Sequence, residues 1–383
     1  MLPVAGAASN LDFLNPDKPA PKIAKTPKLA YRSLGKTGLK VTSVGFGCMI
    51  TSDPSVITRA ADLGINYFDT ARVYQQGNNE RMVAAALGAK RKDLILSTKS
   101  VSSNKAAVLK DLDTSLTELK TDYVDIWYLH AKDLPSAIHD DMIEAQQIAK
   151  QQGKIRFAGM STHALAKMTE WTVDKKAFDV VLTVYNFTMD PKMDETIAAV
   201  AKTGTGVVAM KIMAGGARAR RPGEQVDPRT QRDGAMLSAL KWVLNKPNIG
   251  TTIPSMTDMD QLDENLRAMA EKFAPADEKI LTAHLDKIAP YYCRFCGECD
   301  GACAKDLQVA TRCASSPTPK ATASLLWLAS ALTSCLRIMQ HPAAATAQSA
   351  PSTVRMACVS PNASAAPRNS SHEAPPSGPG APT

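Results

Sequence analysis

Two spacings alternate along most of this chain. Short apolar runs of strand length are followed by stretches in which apolar residues recur every three or four positions. The strand-like runs are VTSVGFGC (41–48), YFDTA (67–71), LILSTKS (94–100), VDIWYLH (124–130), IRFAGMST (155–162), VVLTVY (180–185), GVVAMKIM (206–213) and GTTIPSM (250–256). Between them lie the helical patterns SVITRAADLG, NNERMVAAALG, KAAVLKDLDTSLTELK, MIEAQQIAKQQG, ALAKMTEWTVDK, DETIAAVAKTG and DGAMLSALKWVLNK, and MDQLDENLRAMAEKF follows the eighth run. Several end in Gly, as helix C-termini prefer. Buried strands alternating with helices imply parallel pairing. Eight such units predict an α/β fold of the (β/α)8 TIM-barrel type, closed rather than open. The preceding segment, LAYRSLGKTGLKV, reads as a hairpin with glycine at both turn positions, placed to plug the bottom of the barrel.

Composition divides the chain further. Residues 1–30 are rich in Pro, Lys and Ala and read as a flexible leader. The barrel is expected over 31–288, a cysteine-rich extension over 289–312, and a Pro/Ala/Ser-rich, disordered tail over 313–383. The net charge of +8 comes without a dense Lys/Arg run, so nucleic acid is not an expected partner. No apolar run is long enough for a membrane span. The N-terminus lacks the basic start and full apolar stretch of a signal peptide. On the start as written the expected location is the cytoplasm; a start further upstream would make an exported protein the alternative.

Function in such a barrel sits where the strands end. Asp69 closes the second strand, Tyr74 follows in the next loop, Lys99 closes the third strand and His130 the fourth. Singly, each is more often a satisfied structural residue. Together on adjacent strands they form a chemical set. Carbonyl reduction needs a hydride and a proton, and tyrosine is a weak acid, with a pKa of about 10. A neighbouring lysine ammonium favours the phenolate and brings that pKa toward the working range. An aspartate keeps the lysine charged and oriented, and a histidine donor polarises the carbonyl oxygen. Two other motifs fail. Gly35-Lys36-Thr37 ends like a phosphate-binding loop, but Ala30 stands where its first glycine is required. No GxGxxG follows the first strand.

The text around these four residues, GINYFDTARVY, ILSTK and VDIWYLH, resembles the aldo-keto reductase family over roughly residues 31–288. The resemblance implies a nicotinamide cofactor, NADP or NAD, and a small-molecule carbonyl substrate. It makes Tyr74 the proton donor, Lys99 its pKa-lowering partner, Asp69 the partner of the lysine and His130 the substrate orienter. GMSTH (159–163) is similar to the family's fifth-strand motif, which places Ser161, with Thr162 or His163, at the nicotinamide carboxamide. Met210 stands where many relatives carry a ring-stacking aromatic, and Lys211 where they carry serine. IPSMTDMDQLDENL resembles the cofactor clamp: Pro254 and Ser255 start the phosphate loop, and Glu264 and Asn265 hold the adenine. Many NADP-specific relatives carry lysine at Ser255 and arginine at Gln261, so the resemblance does not extend to strict NADP preference. Lys211 is a further candidate for a phosphate contact. Asp258 and Asp260 are also placed to cap the last helix.

Of eight cysteines, seven lie after residue 290, which points to a metal or cluster site rather than a dispersed disulfide framework. Cys293, Cys296, Cys299 and Cys303 have the C-x2-C-x2-C-x3-C spacing of bacterial ferredoxins, expected to hold a 4Fe–4S cluster, although Ala304 replaces the usual proline. Four clustered thiolates also suit zinc. A sub-branch of the resembling family carries such a run just after the barrel. One reading of the tail is a shifted reading frame. With free choice of synonymous codons and a shift of frame, it can spell a second ferredoxin-type run, so the cluster site would be incomplete in this chain. Three functions follow: an NAD(P)H-dependent carbonyl reductase, an iron–sulfur electron-transfer protein with an outside electron-transfer partner, and a non-catalytic cofactor-sensing barrel. The intact tetrad favours the first.

Overall fold

The computed structural model describes residues 28–214 and 234–288. The expected leader up to residue 27, the four-cysteine run and the tail lie outside the described residues. The chain opens with the expected hairpin: β1 (Tyr31–Ser33) pairs antiparallel with β2 (Lys40–Thr42), Tyr31 opposite Thr42. Its turn buries Leu34 and Leu39, which join Val41 in a cluster with Tyr67, Ile126, Tyr128, Val180, Leu182 and Val208. This is the plug at the bottom of the barrel. Gly35 must be glycine here: its φ is +54°, and a Cβ would lie 2.4 Å from the Gly204 carbonyl oxygen.

Eight parallel strands follow: β3 (Phe46–Gly47), β4 (Tyr67–Asp69), β5 (Ile95–Ser100), β6 (Val124–Leu129), β7 (Ile155–Thr162), β8 (Val180–Val184), β9 (Gly206–Met210) and β10 (Thr251–Thr252). They lie side by side in sequence order. Parallel bridges from Val44 to Thr252 and from Gly47 to Ser255 bring the first and last together. At that seam a Cβ on Gly47 would sit 2.5 Å from the Ile253 carbonyl oxygen, so the close approach depends on glycine. Eight helices are described: α1 (Pro54–Asp62), α2 (Asn78–Leu87), α3 (Lys105–Leu119), α4 (Asp140–Gln151), α5 (Lys192–Lys202), α6 (Ala235–Leu244), α7 (Met259–Ala270) and α8 (Pro275–Ile288). Sequence-coded caps start three of them: Asp53 for α1, Asn104 for α3 and Asp258 for α7.

Alternation along the strands sorts the side chains. On β5, Ile95 belongs to the inner cluster and Leu96 to the outer one under the helices, while Thr98 bonds Glu80 of α2 and Ser100 bonds Asp111 of α3. Ser97 and Lys99 therefore share the inner face with Ile95. The same parity puts Asp69 with Tyr67, His130 with Tyr128, Ser161 with Gly159, and Met210 with Val208.

Three expectations need correction. The run 41–48 is two strands, because the chain bends at 43–45 as its bonds change from the hairpin to β10: Gly45 N–H donates to the Thr252 carbonyl at 2.8 Å. ALAKMTEWTVDK is no α-helix but a 3-10 turn, Leu165–Met168, followed by a π-type turn, Glu170–Asp174. There the Trp171 indole is tied to the Pro135 carbonyl at 3.1 Å, and this tertiary anchor overrides the local period. The helix after β10 is not the last, since α8 follows, fixed by Asp277 on Lys241 at 2.8 Å. Among the described residues no helix is long and apolar enough to cross a membrane.

Candidate active site

Asp69, Lys99 and His130 reach the same end of the barrel interior because each stands at a strand's C-terminal end with inward parity. Lys99 is buried and ion-paired to buried Asp69. Its Nζ also donates to the Thr70 carbonyl at 2.7 Å and contacts the Tyr74 hydroxyl at 3.1 Å. The other Asp69 oxygen accepts the Ser97 hydroxyl at 2.7 Å. The loop that delivers Tyr74 is pinned along β5: Arg72 N–H donates to the Lys99 carbonyl at 3.1 Å. Tyr74 then opens a short turn in which Gln75 (φ 49°) and Gln76 (φ 57°) are both left-handed, a conformation unfavourable for non-glycine residues. The His130 ring stands edge-on to the Tyr74 ring, centroids 5.8 Å apart at 81°. All four residues of the expected set are thus brought together.

Their ionisation follows from burial. The His130 pKa is pushed down to about 3, first by burial and then by the charges of Lys99, His163 and Lys132, with Asp133 opposing. It is neutral at physiological pH, and its buried Nδ1 has no hydrogen-bond partner among the described residues. Burial raises Asp69, while Lys99 and the Ser97 hydroxyl pull it back. Lys99 is disfavoured by burial, but Asp69 and Tyr74 hold it above its usual range. For Tyr74 the expected lowering is not the net result. Burial raises the phenol above its ordinary value and outweighs the downward pull of Lys99. Tyr74 therefore keeps its proton.

The residues expected at the cofactor behave differently. Ser161 is buried, and its Oγ accepts the Ala131 N–H at 2.8 Å. Thr162 and His163 turn instead to Asp133, which sequence reasoning missed. Its carboxylate accepts from the Thr162 hydroxyl at 3.1 Å and from the His163 N–H at 2.6 Å, and meets His163 Nδ1 at 2.9 Å. Beside it, Lys132 Nζ donates to the Ser102 carbonyl at 3.1 Å. The signal was the charged pair Lys132-Asp133 two residues beyond His130, facing the His163 that follows the neighbouring strand. Met210 ends β9 half-buried, and Lys211 follows exposed with φ +55°.

The Pro254 carbonyl accepts the Gly47 N–H at 3.0 Å, so this loop belongs to the barrel seam. Gln261 is occupied locally: its Nε2 donates to Thr257 Oγ1 at 2.8 Å and Asp258 Oδ2 at 2.7 Å. Glu264 is half-buried on α7. Asn265 is fully buried, and neither polar atom of its amide has a hydrogen-bond partner among the described residues. Among the described residues no three metal-ligating side chains converge, and the four-cysteine run lies outside them.

Comparison with known proteins follows this geometry. The model of the aldo/keto reductase family matches residues 53–235. The uncharacterized oxidoreductase YqkF of Bacillus subtilis is 28% identical over 296 residues, covering 66% of this chain and 95% of that protein. L-galactose dehydrogenase of Arabidopsis thaliana is 29% identical over 289 residues, covering 64% and 89%. The solved holo form of aldo-keto reductase AKR11C1 from Bacillus halodurans superposes with a TM-score of 0.56 at 27% identity, covering 68% of this chain and 96% of that one.

Proposed function

We propose, on its similarity to the aldo/keto reductase family of oxidoreductases, that the chain reduces an aldehyde or ketone with NADPH or NADH, Tyr74 delivering the proton. The observation that carries this reading is the Tyr74 hydroxyl 3.1 Å from a buried lysine that is itself ion-paired to Asp69. Family members use NAD(P)H; when bound, the cofactor supplies the hydride. The chain's residues handle the proton. Tyr74 holds it until the carbonyl oxygen gains charge. Lys99 stabilises the phenolate left behind, and Asp69 keeps Lys99 charged and aimed. His130, neutral, donates an N–H to the substrate oxygen.

The residues beyond β7, β9 and β10, at the same end of the barrel, fit a nicotinamide cofactor. The unpartnered Asn265 amide is a buried polar group awaiting hydrogen bonds, and with Glu264 it would take the adenine. Ser161 would meet the carboxamide, with Thr162 fixing that strand end through Asp133. Met210 would lie against the ring. Lys211, Pro254, Ser255 and Gln261 would follow the phosphates. Neither Ser255 nor Gln261 carries a positive charge for a 2′-phosphate, so the reading includes both cofactors. On ferredoxin spacing alone, Cys293, Cys296, Cys299 and Cys303 would ligate a 4Fe–4S cluster, which iron and acid-labile sulfide assays on the purified chain test.

The reductase reading is tested by NADH and NADPH oxidation across an aldehyde panel, beside Tyr74→Phe. The variant is expected to lose turnover by at least about 10²-fold, the contribution of a positioned general acid, while cofactor binding by fluorescence titration persists. Undiminished turnover in Tyr74→Phe would refute it.

A further inference from the structure

Behind the Lys99–Asp69 pair, inside the barrel, lies a second polar layer. The Tyr67 and Tyr128 hydroxyls are 2.9 Å apart, Tyr67 reaches Ser97 Oγ at 3.2 Å, and Ser97 Oγ reaches Asp69 Oδ1 at 2.7 Å. Tyr67, Ser97 and Tyr128 are fully buried. Two phenols in the middle of a barrel otherwise filled by Ile126, Val180, Leu182 and Val208 call for an explanation, because isoleucine or phenylalanine would fill the space without polar atoms to satisfy.

The proton arithmetic gives the chain a direction. Ionised Asp69 can only accept, so Ser97 donates its single proton there. Ser97 Oγ then accepts from Tyr67. Tyr67, having given its proton, accepts from Tyr128. Every donor points toward the carboxylate, and each donation polarises the next.

Resting on the proposed role of Asp69 and Lys99, we propose that Ser97, Tyr67 and Tyr128 are positioning residues: a unidirectional hydrogen-bond chain that keeps the Asp69 carboxylate ionised and turned toward Lys99. Asp69 has two oxygens. Ser97 occupies Oδ1, which leaves Oδ2 for the ammonium. The groups that act electrostatically on Asp69 come from several elements. Lys99 of β5 favours its charge, while Cys48 beyond β3, Tyr67, Tyr74 and Tyr128 supply further ionisable neighbours. The burial that would otherwise neutralise Asp69 is what the donor chain opposes.

The test reads Asp69 directly. In protein labelled with carboxyl-13C aspartate, the Asp69 signal is assigned by its absence in Asp69→Asn and followed against pH. Ser97→Ala is expected to raise its midpoint by about one pH unit, the scale of one charge-assisted hydrogen bond. Tyr67→Phe, which keeps the ring and removes only the hydroxyl, should shift it less in the same direction, and Ser97→Thr should restore it. Turnover of Ser97→Ala should fall by up to about 10-fold at pH values below the shifted midpoint, the loss of ionised Asp69 that one unit corresponds to there, with the KM for cofactor unchanged. An unmoved midpoint in both Ser97→Ala and Tyr67→Phe overturns the proposal, as does a shift in opposite directions. If Tyr74→Phe retains full turnover, the reductase reading fails while the Asp69 midpoint still decides the donor chain.

Discussion

The strand ends of β4–β6 and the segment from β10 into α7 belong to one barrel but treat their polar side chains in opposite ways. At the first, Asp69, Lys99, Tyr74 and Ser97 satisfy one another before any ligand arrives, and the His130 Nδ1 is the exception, unpartnered among the described residues. At the second, Gln261 is spent on Thr257 and Asp258, and the Asn265 amide is buried with no hydrogen-bond partner among the described residues. Internal partners hold geometry, which proton transfer needs to within fractions of an ångström. An unpartnered buried amide holds affinity in reserve, because a ligand that reaches it relieves a desolvation penalty already present.

The largest effect should come from breaking the self-satisfied end. Lys99→Met removes the counterion of buried Asp69 and is expected to destabilise by about 3–5 kcal/mol, the usual consequence of orphaning one partner of a buried pair, and to abolish turnover. Its pH dependence has a definite sign. Burial already raises Asp69 above its unfolded value, and losing Lys99 raises it further. The folded variant then holds a proton that the unfolded chain releases, so its deficit shrinks at acid pH and grows as pH rises through the folded value. Urea unfolding at pH 5 and pH 8 checks this. A deficit equal at both would mean that Asp69 keeps its charge without Lys99, and the comparison between the two ends would weaken.

The contrast also explains what could be read from sequence. Period-two alternation and strand-end position are enough to bring Asp69, Lys99 and His130 onto one inner surface, because parity along a strand is a local property. The barrel follows for the same reason, its units being legible in their own spacing except where the period over 164–175 suggests an α-helix that does not form. What could not be read depends on partners distant in sequence. Thr162 and His163 sit in a cofactor-like motif, yet Asp133, about 30 residues away, captures both. The net pKa of Tyr74 depends on burial, which no motif reports; the residue pattern supplies only the Lys99 contribution. The break at 43–45 lies inside a run of strand length, and only the change of hydrogen-bond partner divides it.

The open end gives a smaller effect with a two-sided signature. Asn265→Leu replaces a buried unsatisfied amide with an apolar side chain of similar size. The cofactor-free protein is expected to gain about 1 kcal/mol, at the low end of the penalty for an unmet buried polar group, and to lose about 10-fold in cofactor affinity, equivalent to about 1.4 kcal/mol. Thermal melts with and without saturating cofactor measure both. Loss of stability in the free protein would show that the amide is satisfied, and would remove the basis for contrasting the two ends.

The smallest effect concerns how the assembled end is held. Gln75 and Gln76 occupy the left-handed region immediately after Tyr74, where each non-glycine residue carries a penalty of about 1–2 kcal/mol. Gln75 is tied down by its side chain, whose Nε2 donates to the Thr51 carbonyl at 2.7 Å. Gln76 is exposed, and among the described residues no side-chain hydrogen bond holds it. Gln76→Gly removes the strain but widens the backbone freedom of the unfolded chain, which takes back about 0.5–1 kcal/mol. The net should be a gain below about 1 kcal/mol, or roughly 2 °C in Tm for a barrel of this size. The same freedom loosens the turn that aims Tyr74, so kcat should fall a few-fold with cofactor affinity unchanged. A variant that is more stable and equally active would mean that the Lys99 contact alone positions the phenol. A variant less stable and less active would mean that the strained turn is held by contacts Gln76 itself supplies.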